Sequence, residues 1–374
     1  MVCDTVGSQQ WRTVDRANMH TSVPGEPAGA PLRPDVLELT VVEVVQETEE
    51  AVSIVFDVPE RSLDTCRYRP GQFLTLRVPS EHTPAARCYS LSSSPHLDDR
   101  LVVTVKRTLG GYASNWLCNN ARPGLTLASL PPSGRFSPGS LDADLLLIAA
   151  GSGITPLMSI LTSALLGGSA TVYLFFANAD RGTVIFGSDL DDMMIEFPDR
   201  LFVDHWLESE DGRPTVDALV QRLGAYHRYD AFVCGPGPFM DVATSALELI
   251  GTPPGRIHVE RFRSLSGDPF VDIDARSDAE ATEPAGLEID RGGERTTLRW
   301  PRNRTLLDVL LGQGLNAPYS CREGECSACA VRVVDGEVRM IRNQTLVDAD
   351  IRLGLTLACQ ALPVSDHVGI AFDQ

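Results

Sequence analysis

The chain has no apolar run of the length that a membrane span requires. A spanning helix needs about 18 or more consecutive apolar residues, whereas the best run here, Leu145–Ala150, is of strand length. The first 34 residues also lack the basic and then apolar segments of a secretory signal. The sequence therefore excludes a membrane span and predicts a cytoplasmic protein.

Positive charge is also scarce. Lysine and arginine number 32 against 50 acidic residues, which gives a formal net charge of −18. A nucleic-acid-binding protein needs a basic surface to displace counterions, so this class is excluded. An acidic surface can still attract a basic partner protein.

The nine cysteines do not form the even set of a disulfide-bonded scaffold. Four of them lie in the last sixth of the chain, and the other five are scattered. This distribution predicts a metal or cluster site together with isolated thiols in a reducing compartment.

The 374 residues are enough for two or three domains, and composition predicts where they divide. The N-terminal stretch is polar and interrupted by prolines, which predicts a disordered tail. A later acidic stretch predicts a solvated linker that contacts neither neighbour and lets the last domain swing. The predicted segments are the tail 1–34, a first domain 35–142, a second domain 143–262, the acidic linker 263–286 and a third domain 287–374.

Periodicity predicts a different fold for the first two domains. Short β-type runs with turn signals between them, such as Phe73–Val78 and Leu101–Lys106, predict an antiparallel β-barrel. From about Ala143, apolar strands such as Leu145–Ala150 alternate with helical stretches such as Pro156–Leu166. This alternation predicts an α/β domain with a parallel sheet.

Four cysteines near the C-terminus carry the strongest signal and are the predicted metal ligands. Cys321, Cys326 and Cys329 have the spacing C-x4-C-x2-C, and Cys359 follows after 29 further residues. This is the plant-type [2Fe–2S] spacing, in which a short loop supplies three thiolates. A zinc ribbon, the alternative, prefers two C-x2-C pairs, and only one is present. The third domain resembles plant-type ferredoxins, which implies an α+β β-grasp fold.

A second motif, Arg87-Cys88-Tyr89-Ser90, stands in the barrel region. With the flanking segments Tyr68–Phe73 and Gly111–Ser114, it resembles the flavin domain of the ferredoxin–NADP reductase superfamily. Arg87 can bind a pyrophosphate oxygen, Tyr89 offers a flat face to the flavin ring, and Ser90 can bond near its redox-active nitrogen. The residues expected at the flavin are Arg87, Cys88, Tyr89, Ser90, Val105, Lys106, Gly111, Ala113 and Ser114.

The flavin is expected to be FAD. FMN is the alternative, since the phthalate dioxygenase reductase group uses it. The backbone and hydroxyl donors of Gly111–Ser114, at a helix start, can bind additional phosphate, and they favour FAD.

A third motif follows a predicted strand and opens a helix. Gly151 and Gly153 permit close approach of a phosphate, Thr155 is expected to cap the helix, and Pro156 is expected at its first position. Pro156 stands where the full dinucleotide fingerprint has a third glycine. These four residues are the first part of the predicted nicotinamide dinucleotide site.

The second part of that site lies at the end of a later strand. It consists of Cys234, Gly235, Pro236 and Gly237. The resemblance implies that Cys234 lies near the nicotinamide and that Glu260 and Phe262 return to the flavin ring. The residues expected to act in catalysis are Tyr89, Ser90, Cys234, Glu260 and Phe262.

The sequence favours NADH over NADPH. A 2′-phosphate needs a basic clamp after the second strand of the parallel sheet, and Asp180 in that position would repel it. Arg181 follows directly, so NADPH stays the alternative.

The order of flavin, nicotinamide and ferredoxin units resembles the reductases of multicomponent oxygenases. Long runs such as Pro70–Pro79 and Leu306–Ser320 are similar to the reductases of 3-ketosteroid 9α-hydroxylases. This resemblance implies electron transfer from NADH through FAD and a [2Fe–2S] cluster to a Rieske-type oxygenase that acts on a steroid. A reductase for another oxygenase or an acyl desaturase is one alternative. A binding module with a structural metal is the other.

Overall fold

The structure, a computed structural model, describes residues 33, 35–80, 84–97, 100–262, 265, 268–270, 283–291, 294–315 and 317–372. The described residues belong to one unit, and its three main sheets define three domains that follow one another along the chain. We call them the barrel domain, the parallel-sheet domain and the C-terminal domain.

The barrel domain contains six antiparallel strands and one helix. They are β1 (Leu37–Thr48), β2 (Ala51–Asp57), β3 (Phe73–Val78), β4 (Ala85–Ser90), β5 (Leu101–Lys106), α1 (Tyr112–Asn120) and β6 (Thr126–Ser133). The strand order is β4-β3-β6-β1-β2-β5, and a bridge from Leu91 to Val103 joins the two ends. Alternate side chains such as Leu39 and Ile54 fill the interior. The predicted barrel is confirmed.

Strand β6 is the barrel strand that is hardest to predict from the sequence. It contains Pro131 and Pro132, and proline cannot donate to a strand ladder. The two prolines fall where the pairing with β3 shifts register, between the pairs Phe73–Ser133 and Thr75–Leu130. The irregularity lets the sheet tolerate them.

The parallel-sheet domain alternates strands and helices as predicted. Its elements are β7 (Leu145–Ala150), α2 (Ile154–Gly167), β8 (Val172–Asn178), α3 (Gly187–Glu196), β9 (Leu201–Leu207), α4 (Glu208–Asp211), α5 (Val216–Leu223), β10 (Asp230–Cys234), α6 (Gly237–Leu249) and β11 (Ile257–Glu260). The parallel strand order is β11-β10-β7-β8-β9. Separate hydrophobic clusters cover its two faces, so the central strand β7 is buried throughout.

The start of α2 differs from the prediction. The helix begins at Ile154, because a 3-10 turn over Gly151–Gly153 runs directly into it. Thr155 therefore lies inside the first turn, where its hydroxyl donates to the Ser152 carbonyl at 3.1 Å instead of capping the helix. Pro156 is the third helical residue and not the first.

The C-terminal domain is an α+β unit. Its elements are β12 (Ala285–Arg291), β13 (Glu294–Trp300), α7 (Leu306–Gly312), β14 (Ala330–Asp335), β15 (Val338–Met340), α8 (Asp348–Arg352), β16 (Leu355–Leu357), β17 (Ala361–Pro363) and β18 (His367–Ala371). The main sheet has the order β13-β12-β18-β14-β16. Helix α7 contributes Leu306 and Leu310 to the core beside Trp300, as expected for a ferredoxin-like unit.

The predicted solvated linker is wrong for the part of it that the structure describes. Leu265 and Phe270 are 5% and 0% exposed, and Asp268 forms an ion pair with Arg77 of β3 at 3.1 Å. Burial of apolar surface holds this segment against the barrel. Residues 271–282 lie outside the described residues.

The predicted disordered tail ends earlier than expected. Arg33 is 3% exposed, its backbone N–H donates to the Phe270 carbonyl at 2.9 Å, and its guanidinium pairs with Asp35. Residues 1–32 and 34 lie outside the described residues. Among the described helices, none has both the length and the apolar character to cross a membrane.

Candidate functional site

The four predicted cluster cysteines lie together in the C-terminal domain. Cys321, Cys326 and Cys329 lie on the loop between α7 and β14, which we call the cysteine loop (residues 321–329), and Cys359 lies in the turn between β16 and β17. The thiol of Cys321 contacts those of Cys326 and Cys359, and Cys359 contacts Cys329. The fold thus brings together sulfurs that are distant in sequence.

Backbone donors surround the first of these sulfurs. The N–H groups of Glu323 and Glu325 donate to Cys321 Sγ at 3.3 and 3.4 Å. The thiols of Cys326 and Cys359, together with these N–H groups, lower the pKa of Cys321. The same contacts raise the pKa of Cys326 and of Cys359, so within this group of thiols the negative charge is favoured on Cys321, in the anionic form that binds iron.

The cysteine loop has an unusual backbone. Arg322 and Ser327 have φ values of 59° and 53°, and Gly324 lies between them at 73°. Positive φ is rare for non-glycine residues and collects at functional sites. A Cβ on Gly324 would also lie 2.8 Å from the Arg342 carbonyl oxygen. The sequence offered only the glycine as a signal for this winding.

The flavin motif lies on β4, an edge strand of the barrel paired with β3. Arg87 Nη1 donates to the carbonyl of its neighbour Ala86 and to that of Leu265 at 3.2 Å. Burial raises the pKa of Tyr89 above its ordinary range and that of Cys88 to about 12. Both side chains therefore stay neutral at physiological pH.

Two of the predicted phosphate donors lie at the start of α1. Gly111 is the N-cap of this helix and Ser114 lies in its first turn, where its hydroxyl accepts the Thr108 N–H at 3.1 Å. Val105 and Ala113 have their side chains in the barrel core, and the Val105 carbonyl accepts from Cys118 Sγ at 3.5 Å. Lys106 pairs with Glu50 at 3.7 Å and reaches the cleft described next.

A cleft of about 540 Å³ opens at the carboxyl ends of β7 and β10. Its lining includes Gly151 and Gly235–Gly237 from the two predicted loops, together with Lys106, Arg261 and Phe262. Parallel sheets bind ligands at this edge. Thr155 and Pro156 are buried in α2 instead, so their side chains support the loop from behind.

Gly153 is required by contact between the two loops. A Cβ at this position would lie 2.1 Å from the carbonyl oxygen of Cys234, so a larger residue would separate β7 from β10. Cys234 itself is fully buried, and burial raises its pKa further. Its thiol is therefore a neutral group behind the cleft.

A narrow cavity lies where the three domains meet. Its lining includes Ser90 of the barrel, Glu260 and Phe262 at the end of the parallel sheet, and Cys326 of the cysteine loop. Burial raises the pKa of Glu260 to about 8, so this carboxyl carries a proton at neutral pH. Phe262 lines both this cavity and the open cleft, which connects the two.

Several residues at this junction have no motif that could identify them. Thr75 Oγ1 lies 2.7 Å from Ser320 Oγ. The Arg33 guanidinium lies over the Tyr319 ring, 3.7 Å from its centroid. Phe270 completes an apolar cluster with Ala86 and Cys321. Only the presence of an aromatic residue in an acidic segment could have indicated Phe270.

The residues present fit the groups that the sequence implies. Four cysteines with backbone donors to sulfur suit a [2Fe–2S] cluster. Within the described residues, no three His, Cys, Asp or Glu side chains surround a single point as a one-ion site requires. The glycine loops of the cleft leave room for the phosphates of a dinucleotide.

Comparisons with known proteins agree with this division. Residues 38–137 match the oxidoreductase FAD-binding domain family, residues 147–245 the oxidoreductase NAD-binding domain family, and residues 289–364 the 2Fe-2S iron-sulfur cluster binding domain family. The fold is similar to phthalate dioxygenase reductase, with a TM-score of 0.54 and 22% identity over 90% of this chain and 98% of that one.

Two curated relatives cover nearly the whole chain. The 3-ketosteroid-9-alpha-monooxygenase ferredoxin reductase component of Mycolicibacterium smegmatis is 52% identical over 92% of this chain and 99% of its own length. A component of the 1,2-phenylacetyl-CoA epoxidase of Escherichia coli is 34% identical, over 90% of this chain and 97% of its own length.

Fold and site together define an oxidoreductase with FAD-binding, NAD-binding and [2Fe–2S] domains, built for electron transfer. The chain belongs to the family of the ferredoxin reductase components of 3-ketosteroid-9-alpha-monooxygenase.

Proposed function

We propose that this chain oxidises NADH and delivers electrons one at a time to the Rieske-type oxygenase component of a 3-ketosteroid 9α-monooxygenase. The observation that carries the electron-transfer part is the narrow cavity lined by Ser90, Glu260 and Cys326, one from each domain. The steroid part is supported by the identity of 52% over nearly the full length of both chains.

Each domain has a defined task in this proposal. Cys321, Cys326, Cys329 and Cys359 hold the cluster. Tyr89 and Ser90 contact the flavin ring, while Arg87, Gly111 and Ser114 bind the phosphates of FAD. When bound, FAD supplies the conversion of the two electrons of a hydride into the single electrons that a [2Fe–2S] cluster carries.

The cleft binds the dinucleotide. Gly151 and Gly235–Gly237 admit its phosphates, and Phe262 stands between the cleft and the narrow cavity. Cys234 lies behind the nicotinamide as a neutral thiol. Asp180, at the carboxyl end of β8, accepts the Thr183 N–H at 3.1 Å, and its negative charge disfavours a 2′-phosphate. We therefore expect kcat/KM to be higher for NADH than for NADPH.

The cytoplasm suits this function, because it supplies NADH and keeps thiols reduced. The eight cysteines in the described residues are all free.

Reconstitution tests the partner. The purified holoprotein is mixed with the steroid oxygenase component, androstenedione and NADH, and 9α-hydroxylated product is measured by mass spectrometry. In a parallel reaction, the oxygenase components of 1,2-phenylacetyl-CoA epoxidase and their substrate replace the steroid system. Product from the steroid reaction is expected. Product from the epoxidase reaction alone, with normal NADH-driven reduction of cytochrome c, would overturn the steroid assignment.

A further inference from the structure

Two hydroxyl side chains meet at the boundary between the barrel domain and the C-terminal domain. Thr75 Oγ1 lies 2.7 Å from Ser320 Oγ, and Cys88 Sγ lies 3.5 Å from the same Thr75 oxygen. Thr75 and Ser320 are each 1% exposed. Thr75 and Ser320 thus form a buried polar contact across the boundary, which the partly buried Cys88 extends on the barrel side.

On the barrel side, this contact begins at the flavin motif. Thr75 pairs with Cys88 in the β3–β4 ladder. Side chains alternate along a strand, so these two share one face of the strand pair while Arg87 and Tyr89 occupy the other. Thr75 therefore lies beside the strand that carries the flavin residues but on the face opposite Arg87 and Tyr89.

On the other side, the contact ends at the cysteine loop. Ser320 directly precedes Cys321. The Cys321 N–H donates to Cys326 Sγ at 3.4 Å, and Cys321 Sγ accepts two further backbone N–H groups. The position of Ser320 therefore determines where the loop begins relative to the barrel.

The Thr75–Ser320 hydrogen bond lies among side chains that do not themselves fix the position of one domain on the other. The neighbouring side chains at the boundary are largely apolar and include Ala86, Leu130, Leu265 and Phe270. Apolar contact is not directional and would tolerate sliding of one domain on the other. A buried hydroxyl needs a partner, and a shifted docking would separate the two hydroxyls.

We propose that the Thr75–Ser320 hydrogen bond sets the register in which the C-terminal domain docks on the barrel domain. Thr75 and Ser320 are thereby positioning residues for the transfer of one electron from bound flavin to the cluster. The proposal rests on electron transfer within the chain. It does not rest on the identity of the oxygenase, because the step concerned precedes any partner.

The test compares Thr75→Val and Ser320→Ala, which remove the two hydroxyls, with Thr75→Ser, which keeps one in place. Stopped-flow absorbance after mixing the holoprotein with NADH gives the rate of cluster reduction. We expect both hydroxyl-free variants to slow this step by about 10- to 100-fold, since small misplacements of reacting groups have effects of this size. Thr75→Ser should keep the rate of the unaltered protein.

Two further readouts separate positioning from general damage. NADH–ferricyanide activity, which requires only the flavin, should be unchanged in all three variants. Hydrogen exchange of the backbone around residues 319–321 should become faster in the hydroxyl-free variants and not in Thr75→Ser.

Ser163→Ala is the matched control. It removes a buried hydroxyl that lies 2.8 Å from Ser94 at the other boundary, between the barrel domain and α2. It should leave the flavin-to-cluster step unchanged. If Thr75→Val fails to assemble the cluster, Ser320→Ala decides the test. An unchanged rate and exchange in the hydroxyl-free variants, or a Thr75→Ser variant as slow as Thr75→Val, would overturn the proposal.

Discussion

The barrel domain has two boundaries, and they are built differently. Toward the parallel-sheet domain it has buried contacts such as Ser94–Ser163, but it also borders an open cleft of about 540 Å³ whose lining includes Gly151, Gly235 and Gly237. Toward the C-terminal domain it is closed by buried side chains, among them Thr75, Ser320 and Phe270. Both boundaries lie within one chain, so we attribute the difference to what crosses each of them: a dinucleotide at the cleft and an electron at the closed boundary.

A dinucleotide must enter and leave in every turnover, so its boundary has to stay accessible. An electron needs no opening, and its transfer depends instead on a short and constant separation of donor and acceptor. The cleft accordingly uses backbone that admits a ligand, whereas the closed boundary uses packing and hydrogen bonds that fix a position. Variants that act on one boundary alone should affect one half-reaction alone.

The largest effect is expected from loss of a cluster ligand on the closed side. Cys329→Ser replaces a buried cysteine, which we propose as a cluster ligand, with a poor ligand, and should reduce NADH–cytochrome c activity by more than about 100-fold, because even changes outside the ligand set cost about 10- to 100-fold. NADH–ferricyanide activity should persist. Iron content and the visible spectrum check the loss of the cluster, with Cys118→Ser as the control. A Cys329→Ser protein with full iron and full cytochrome c activity would contradict the ligand assignment.

Gly153→Ala tests the boundary that contains the open cleft. The added methyl group would lie 2.1 Å from the Cys234 carbonyl oxygen, so the two dinucleotide loops must separate. We expect kcat/KM for NADH to fall by about 10- to 100-fold and the free energy of unfolding to fall by about 1–3 kcal/mol. Gly139→Ala is the control, since nothing lies within 4 Å of its added Cβ. Equal behaviour of the two variants in ferricyanide kinetics would contradict the assigned role of Gly153.

Phe270→Ala tests whether the segment after the parallel sheet anchors the closed side. Phe270 is fully buried beside Ala86 and Cys321, and removing a buried phenylalanine ring costs about 3–5 kcal/mol. We expect a lower thermal midpoint and about tenfold slower reduction of the cluster, with ferricyanide activity retained. Phe202→Ala, at a side chain 44% exposed, is the control. Wild-type stability in Phe270→Ala would show that the segment does not anchor the domain.

The same contrast explains how far the sequence could predict the molecule. The motifs at β4, β7, β10 and the cysteine loop are local; spacing alone indicated the cluster cysteines, while local context and family resemblance indicated the flavin and nicotinamide motifs. The contact of Thr75 with Ser320 joins residues 245 positions apart, and no spacing rule connects them. Phe270 was obscured by its acidic neighbours, whose average composition indicated a solvated linker. The α2 boundary was missed because a 3-10 turn merges with the helix.

The smallest effect concerns Glu260, at the point where the two boundaries meet. Burial raises its pKa from 4.5 to about 8, so the folded protein holds a proton that the unfolded chain releases between these values. Unfolding then becomes more favourable as pH rises, and this contribution to stability is lost between about pH 4.5 and 8.

Glu260→Gln keeps the neutral form at every pH. Between pH 5.5 and 8, its thermal midpoint should fall less than that of the unaltered protein, by about 2–4 °C. Glu248→Gln, at an exposed glutamate of α6, should follow the unaltered protein. Parallel pH profiles for Glu260→Gln and the unaltered protein would mean that the Glu260 carboxyl is ionised in the folded state.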